Sequence, residues 1–249
     1  MTHVELKNVS VDFPLFQAEH RSFKLLLSAP LKQSRFGRDD RQRPVLHALQ
    51  NINLRLDHGD RVAVIGGNGA GKSTLLRVLA GIYPPVGGSV TIQGRVGALL
   101  TTGLGMRDDA SGYENIEFGL LLQGVPPGQI PAKREAIAAF TELGEYLNLH
   151  VGAYSAGMRV RLAYAISTAV EPDILVIDEV FGAGDAAFLR KAEARMAALI
   201  ESSAILVFAS HAPALLEQFC NRCILMERGE IVMDGPLHDV QRRYLESVR

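Results

Sequence analysis

Gly66-Gly67-Asn68-Gly69-Ala70-Gly71-Lys72-Ser73-Thr74 is the stretch whose reading decides the fold. It follows the apolar run Val62-Ala63-Val64-Ile65 and opens into Leu75-Leu76-Arg77-Val78-Leu79-Ala80-Gly81, with leucines at helical spacing. The order strand, glycine loop, helix is the context that a phosphate-binding loop requires. Glycines at 66, 67, 69 and 71 let the backbone fold tightly enough for successive N–H groups to converge on one anion. The helix starting near Lys72 aims its N-terminal amides and dipole at that anion. Lys72 supplies a full positive charge that bridges β- and γ-phosphates, and the Ser73 hydroxyl is placed to ligate Mg²⁺. The alternative is a glycine-rich turn without a ligand. The pattern in its flanking context predicts a nucleoside triphosphate site built from Gly66, Gly67, Asn68, Gly69, Ala70, Gly71, Lys72, Ser73 and Thr74.

Working outward, 249 residues suffice for one large domain or a domain carrying a subdomain. The net charge of −1 gives no basis for a nucleic-acid partner. Cys220 and Cys223 form a lone C-x-x-C, and a zinc site would need a second pair. They are expected to be two ordinary, partly buried thiols in a reducing cytoplasm, the alternative being a redox pair. The start, MTHVELKNVSVDF, lacks the basic and apolar blocks of a secretion signal. No segment approaches the roughly 20 apolar residues of a membrane span, so any membrane path is expected in another chain.

Residues 2–13 alternate apolar and polar with one register break, which predicts a half-buried strand; Leu49, Ile52, Leu54 and Leu56 predict a second. Between them, 17–44 is polar and basic, with seven Lys or Arg against three acids. Phe23, Leu26 and Leu27 share a helical face there before Pro30 breaks it. This segment reads either as a solvated loop or as a basic piece at the membrane side. Its loss is expected to leave nucleotide affinity almost unchanged. Gly81 and Pro84-Pro85 end the loop's helix, and GGSVTIQG (87–94) is a short strand. Helices are expected from Glu114, from Pro131 through Leu147, and from Met158 to Val170. The apolar runs Ile174–Ile177 and Ile205–Ala209 suit parallel strands buried on both faces. Pro236–Arg249 is expected to be helical, with Val240, Tyr244 and Val248 on one stripe.

Asp178 and Glu179 follow the first of those apolar runs. A carboxylate at the end of a buried strand beside a phosphate loop is where Mg²⁺ is held, and its neighbour can orient and deprotonate a water. The alternative is an acidic pair capping the next helix. His211 follows the second run, and a lone histidine at a strand end is also read as structural.

Tyr154-Ser155-Ala156-Gly157-Met158, ahead of a helix rich in Arg and Ala, resembles the signature LSGGQ. With it, residues 1 to 240 fall into register with the ABC-transporter ATPase family. The resemblance implies an α/β fold: a P-loop NTPase (RecA-like) core with an N-terminal antiparallel β subdomain and an inserted α-helical subdomain at about 108–170. It implies catalytic roles for Glu179, for the switch residue His211 and for Lys72, and metal ligation by Ser73 and Asp178. It also implies that Phe13 stacks on adenine, the alternative being an inward-facing strand residue. Ser155, Ala156, Gly157 and Met158 would form a second anion nest that grips the γ-phosphate of ATP held by the other subunit. Two ATP molecules with Mg²⁺ would then lie between the subunits of a head-to-tail homodimer, with no nucleic acid involved.

Within the family, YSAGM, the run Val180–Phe188, GRVGALLTTGLGM at 94–106 and GYENI at 112–116 are similar to exporters of lipid-linked polysaccharides such as O-antigen, capsule or teichoic acid. That branch implies an integral-membrane permease dimer as partner, a lipid-linked polysaccharide handled mainly by the permease, and a peripheral place on the cytoplasmic face of the inner membrane. The remaining readings are an ATPase of another ABC transporter, for lipids, drugs or small solutes, and an ABC protein acting on nucleic acid or ribosomes. The sequence departs from the family in three places. Gly182-Ala183-Gly184-Asp185 stands for the D-loop SALD, retaining Asp185. Ala156 replaces a glycine, which is tolerable if its φ is negative. Thr101 occupies the position of the Q-loop glutamine. The C-terminal carbohydrate-binding β-domain of some such exporters is not expected before Arg249.

Overall fold

The computed structural model describes residues 2–15, 35–38, 41–100, 105–178, 186–210 and 212–248. Thr101, Glu179, Asp185 and His211 lie outside the described residues, as does 16–34, most of the basic segment. The chain forms two compact units: Met1–Gly94 with Val176–Asp178 and Ala204–Arg249, and Arg95–Leu175 with Glu179–Ser203.

In the first unit, β1 (His3–Pro14), β2 (Phe36–Arg38), β3 (Pro44–Asp57) and β5 (Gly87–Gln93) form an antiparallel sheet in the order β2-β3-β1-β5. Val4 pairs with Leu56, Leu6 with Leu54 and Val9 with Ile52, and all six are buried, so one face of the sheet is core. The register between β1 and β3 shifts three times, not once as expected. Asn8 and Asn51 take left-handed backbones (φ 52 and 50), and each is stabilised locally: Asn53 Oδ1 accepts from the Asn8 N–H and Ser10 Oγ from that of Asn51. Short Asn side chains tolerate that conformation, which alternation alone does not reveal.

The second sheet of this unit runs β10-β9-β4-β8 and continues into the Val176–Asp178 end of β7 (Ile174–Asp178). β4 (Arg61–Ile65) is parallel to β8 (Ile205–Ala209) and to β9 (Arg222–Glu227). Flanked on both sides and covered on both faces, it reads as the unbroken apolar run seen in the sequence. β10 (Glu230–Pro236) returns antiparallel to β9. Helix α1 (Lys72–Leu79) follows β4 and buries Leu75, Leu76, Val78 and Leu79. A later helix, α6 (Pro213–Phe219), and a final one, α7 (Leu237–Val248), complete the unit, the latter burying Leu237 and Val240. Cys220 and Cys223 are free and buried, and desolvation pushes both thiols up to about 12. Buried thiols of that kind are chemically inert.

The second unit holds β6 (Val96–Leu99), the start of β7, and helices α2 (Gly112–Leu122), α3 (Ile130–Thr141), α4 (Ala156–Ser167) and α5 (Ala186–Ser202). Ile116, Leu120, Ile137, Leu147, Leu162 and Ile166 lie in its common core. Helix α2 starts two residues before Glu114, at a capping box in which Ser111 Oγ accepts from the Glu114 N–H (3.2 Å) and Glu114 Oε2 from that of Ser111 (2.7 Å). The helix expected through Leu147 ends at Thr141. Glu142 turns left-handed (φ 56), and a 3₁₀ turn, Gly144–Asn148, follows. Lys191, on α5, donates to the Phe140 carbonyl at 3.1 Å and to Glu142 at 2.9 Å, which satisfies that helix end. Helix α4 likewise begins at Ala156 and ends at Ser167, rather than running from Met158 to Val170. The Thr168 hydroxyl donates to the Tyr164 carbonyl at 2.8 Å at its end.

Candidate functional site

Four neighbours shape the glycine loop. Gly66 has φ 145, and a Cβ there would collide with the Met226 carbonyl oxygen of β9. Gly71 has φ 110, and a Cβ would lie 3.1 Å from the Ala48 carbonyl oxygen of β3. Only glycine relieves both strains at once. Within the loop the Ala70 N–H donates to the Gly67 carbonyl at 3.1 Å, closing a turn. From outside, the Gly229 N–H donates to the Ala70 carbonyl at 2.8 Å. Because a trans peptide sets its C=O and N–H in opposite directions, that anchor turns the Gly71 N–H away from Gly229. Arg35 donates to the Gly69 carbonyl and also to the carbonyls of His47 (3.1 Å) and Ala48 (3.0 Å).

Lys72 folds back over this loop, its Nζ donating to the carbonyls of Gly66 (2.7 Å) and Gly67 (3.2 Å). The ammonium is thus held at the rim that an anion would enter. The first turn of α1 contains no acid to oppose it. A cavity of about 280 Å³ lies beside Lys72, lined also by Ser210, Leu216, Glu217 and Tyr244. Ser73 sits in the first turn of α1, and the half-buried Asp178 ends β7 in the same unit. A hydroxyl and a carboxylate are the hard oxygen donors that suit Mg²⁺, an ion that takes its remaining ligands from water and phosphate. Among the described residues no group of three His, Cys, Asp or Glu could hold a metal ion by itself. Phe13 lies near the end of β1 opposite Leu46, half-buried, with its ring edge-on to Tyr83 at 5.3 Å.

The second motif is in the other unit. Ser155 caps α4, its Oγ accepting from the Met158 N–H at 3.3 Å. Ser155 and Ala156 are exposed, Gly157 and Met158 half-buried. Ala156 is not among the described residues with positive φ, so its methyl costs the backbone nothing. Tyr154 is buried, and its hydroxyl donates to the Tyr146 carbonyl at 2.7 Å, while Arg159 pairs with Asp108 at 2.7 Å. Further along α4, the Arg161 guanidinium lies 5.0 Å from the centre of the Phe188 ring on α5. The structure therefore brings Gly66–Thr74 and Asp178 into one unit and places Ser155–Met158 in the other. Arg35 and the Arg228–Gly229 turn were not singled out from the sequence. Arg35 reads there as one of seven similar cations, and nothing in the sequence sets Gly229 (φ 86) apart.

The ABC transporter family profile matches residues 49–182, which run from within β3 past the loop, the cap and β7. The chain belongs to the ABC transporter family. It is an ABC-type ATPase, and its resemblance is to the polysaccharide-exporter branch. This ABC chain is 44% identical over 231 residues to the O-antigen export system ATP-binding protein RfbE of Yersinia enterocolitica, covering 93% of this chain and 97% of that one. It is 36% identical to the O-antigen export system ATP-binding protein RfbB of Myxococcus xanthus, spanning all of this chain but 56% of that protein. It is 34% identical to the teichoic acids export ATP-binding protein TagH of Listeria monocytogenes, over 99% of this chain and 70% of that one. Among solved structures, the dimeric post-hydrolysis state of the ATP-binding cassette MJ0796 bound to ADP and Pi matches with TM-score 0.67. The identity is 21%, with 94% of this chain and 98% of that one covered. That likeness gives the fold, an α/β P-loop NTPase.

Among the described residues no helix is long and apolar enough to cross a membrane.

Proposed function

We propose that this ABC ATPase powers export of a lipid-linked polysaccharide of the O-antigen kind across the cytoplasmic membrane, working under a separate permease dimer. The carrying observation is the 44% identity to an O-antigen export ATP-binding protein over almost the full length of both chains. A row on α2 supports a partner: Phe118, Leu121 and Leu122 are 40, 51 and 66% exposed on one helix. Apolar side chains concentrated in this way suit an interface. The subunit acts as a homodimer, peripheral to the inner face of the membrane.

In the proposed mechanism the amides of Gly66–Gly71 and the Lys72 ammonium take the β- and γ-phosphates. For that, Lys72 exchanges its two loop carbonyls for phosphate oxygens, a stronger charge-assisted contact. Phe13 faces adenine. Ser73 and Asp178 would hold Mg²⁺, which supplies neutralisation of the phosphate charge. Glu179 takes a proton from the attacking water, His211 senses the γ-phosphate, and Asp185 keeps the D-loop role. From the partner subunit, the Ser155–Met158 turn closes on the same γ-phosphate. General-base assistance is worth roughly 10²–10⁴ in rate. Glu179→Gln keeps shape but cannot accept the proton. It should abolish hydrolysis, accumulate an ATP-held dimer in size-exclusion chromatography, and leave cells without surface polysaccharide. Normal turnover in that variant would remove Glu179 from its role, and normal polysaccharide display would remove the export assignment.

A further inference from the structure

Arg35 makes contacts that a residue merely decorating a surface strand would not. Its Nε and Nη2 donate to the consecutive carbonyls of His47 and Ala48 on β3, and its Nη1 donates to the Gly69 carbonyl in the phosphate-binding loop. One planar guanidinium therefore ties the crest of the loop to the sheet beside it. The Gly69 carbonyl shares its peptide with the Ala70 N–H, which is engaged with Gly67 in the loop's internal turn. Holding that carbonyl outward fixes the whole turn Gly67–Ala70. The next carbonyl, of Ala70, is held from elsewhere by Gly229. Successive carbonyls of the loop are thus held from outside the loop by two independent anchors, Arg35 and Gly229, and only one of them is a side chain.

We infer that Arg35 is a positioning residue for nucleotide binding: it preorganises the phosphate-binding loop and adds a permanent positive charge behind it. A guanidinium stays charged at any working pH and presents donors in a fixed fork, so three carbonyls are bridged at little entropic cost. A loop free to relax would have to be ordered by the incoming phosphates, which lowers their affinity. Lysine cannot substitute, since an ammonium on a flexible stem lacks the fork. The inference rests on the reading that Gly66–Thr74 holds the nucleotide. It runs against the expectation that loss of 17–44 leaves nucleotide affinity almost unchanged, since the last part of that segment pairs with β3 and Arg35 reaches the loop.

Equilibrium binding of ADP to the full chain, well below its melting temperature, tests it. Hydrogen bonds to charged groups lead us to expect about tenfold weaker ADP binding in Arg35→Ala. The KM for ATP should rise by a similar factor, with kcat within about twofold. Arg35→Lys should recover less than half of the loss on a logarithmic scale. A purely structural Arg35 would instead lower the melting temperature and leave ADP affinity as in the parent, and that result overturns the inference. Should Arg35→Ala not fold, Arg35→Lys carries the test, and parental ADP affinity there overturns it equally. Lys72→Ala, measured alongside, separates the two levels. Unchanged ADP affinity in Lys72→Ala sinks the loop reading itself. Weakened binding in Lys72→Ala beside parental binding in both Arg35 variants sinks only the role of Arg35.

Discussion

The loop after β4 and the turn before α4 are both helix N-termini able to meet phosphate, yet they are built in opposite ways. The loop at 66–71 needs positive φ at Gly66, Gly69 and Gly71, is pressed by β3 and β9, and is anchored by Arg35 and Gly229. The turn at Ser155 is an ordinary N-cap, exposed, with right-handed backbone at the alanine that replaces glycine. A cradle over-determined by its surroundings binds its anion without further ordering, whereas an exposed cap offers one hydroxyl and a few amides. In the proposed function, the first therefore captures nucleotide, and the second acts only when a second subunit presents it.

Nucleotide affinity should separate the two regions most widely. Lys72→Ala is expected to weaken ATP binding about 10- to 100-fold, through loss of charge-assisted contacts, while Ser155→Ala leaves monomer affinity within about twofold in the same titration. A comparable loss in both would erase the contrast. Gly71→Ala forces a left-handed φ and a close approach to the Ala48 carbonyl, so destabilisation of roughly 1–2 kcal/mol is expected in denaturant melts, with weaker ATP binding. Gly157→Ala, in helical backbone with open space for the methyl, should instead be neutral or slightly stabilising.

The cap itself can be dissected. Ser155→Ala should cost about 1 kcal/mol of stability, a melting shift of about 2–4 °C. Ser155→Asp should restore the melting temperature but not hydrolysis, because a carboxylate caps well and repels phosphate. Recovery of hydrolysis by Asp would mean that Ser155 serves α4 alone. The smallest effect concerns the buried thiols. Their folded pKa, raised by desolvation from 9.0 to about 12, means that the unfolded chain loses its protons first. Their contribution is full below pH 9 and fades as pH climbs toward 12, so alkaline melts of Cys220→Ala should fall less steeply than those of the parent. Below pH 9 alkylating reagents should label neither cysteine until the chain unfolds.

Much of the first region was legible because its demands are local. Glycine at 66, 69 and 71 is required by backbone angles, and the apolar 62–65 run by burial on both faces. Ser155 was legible for the same reason, as a cap ahead of a helix. What escaped depends on residues far apart in sequence. The end of α3 at Thr141 is fixed by a left-handed Glu142 and by Lys191, about fifty positions later, while the apolar pattern runs on past it. The register shifts of β1 follow from Asn8 and Asn51, whose partners lie on the facing strand. Arg35 looks like any other arginine of a basic segment until three carbonyls are seen to converge on it.

The claim that unites the two regions is that one nucleotide site is completed by two chains. Mixed dimers test it most directly: one protomer carries Lys72→Ala and the other Ser155→Arg, compared with dimers in which one protomer carries both and the other is unaltered. In the first mixture both lesions fall in a single composite site and the other site stays intact; in the second, each site is damaged once. The account predicts ATPase activity clearly higher in the first. Equal activities in the two mixtures would contradict it.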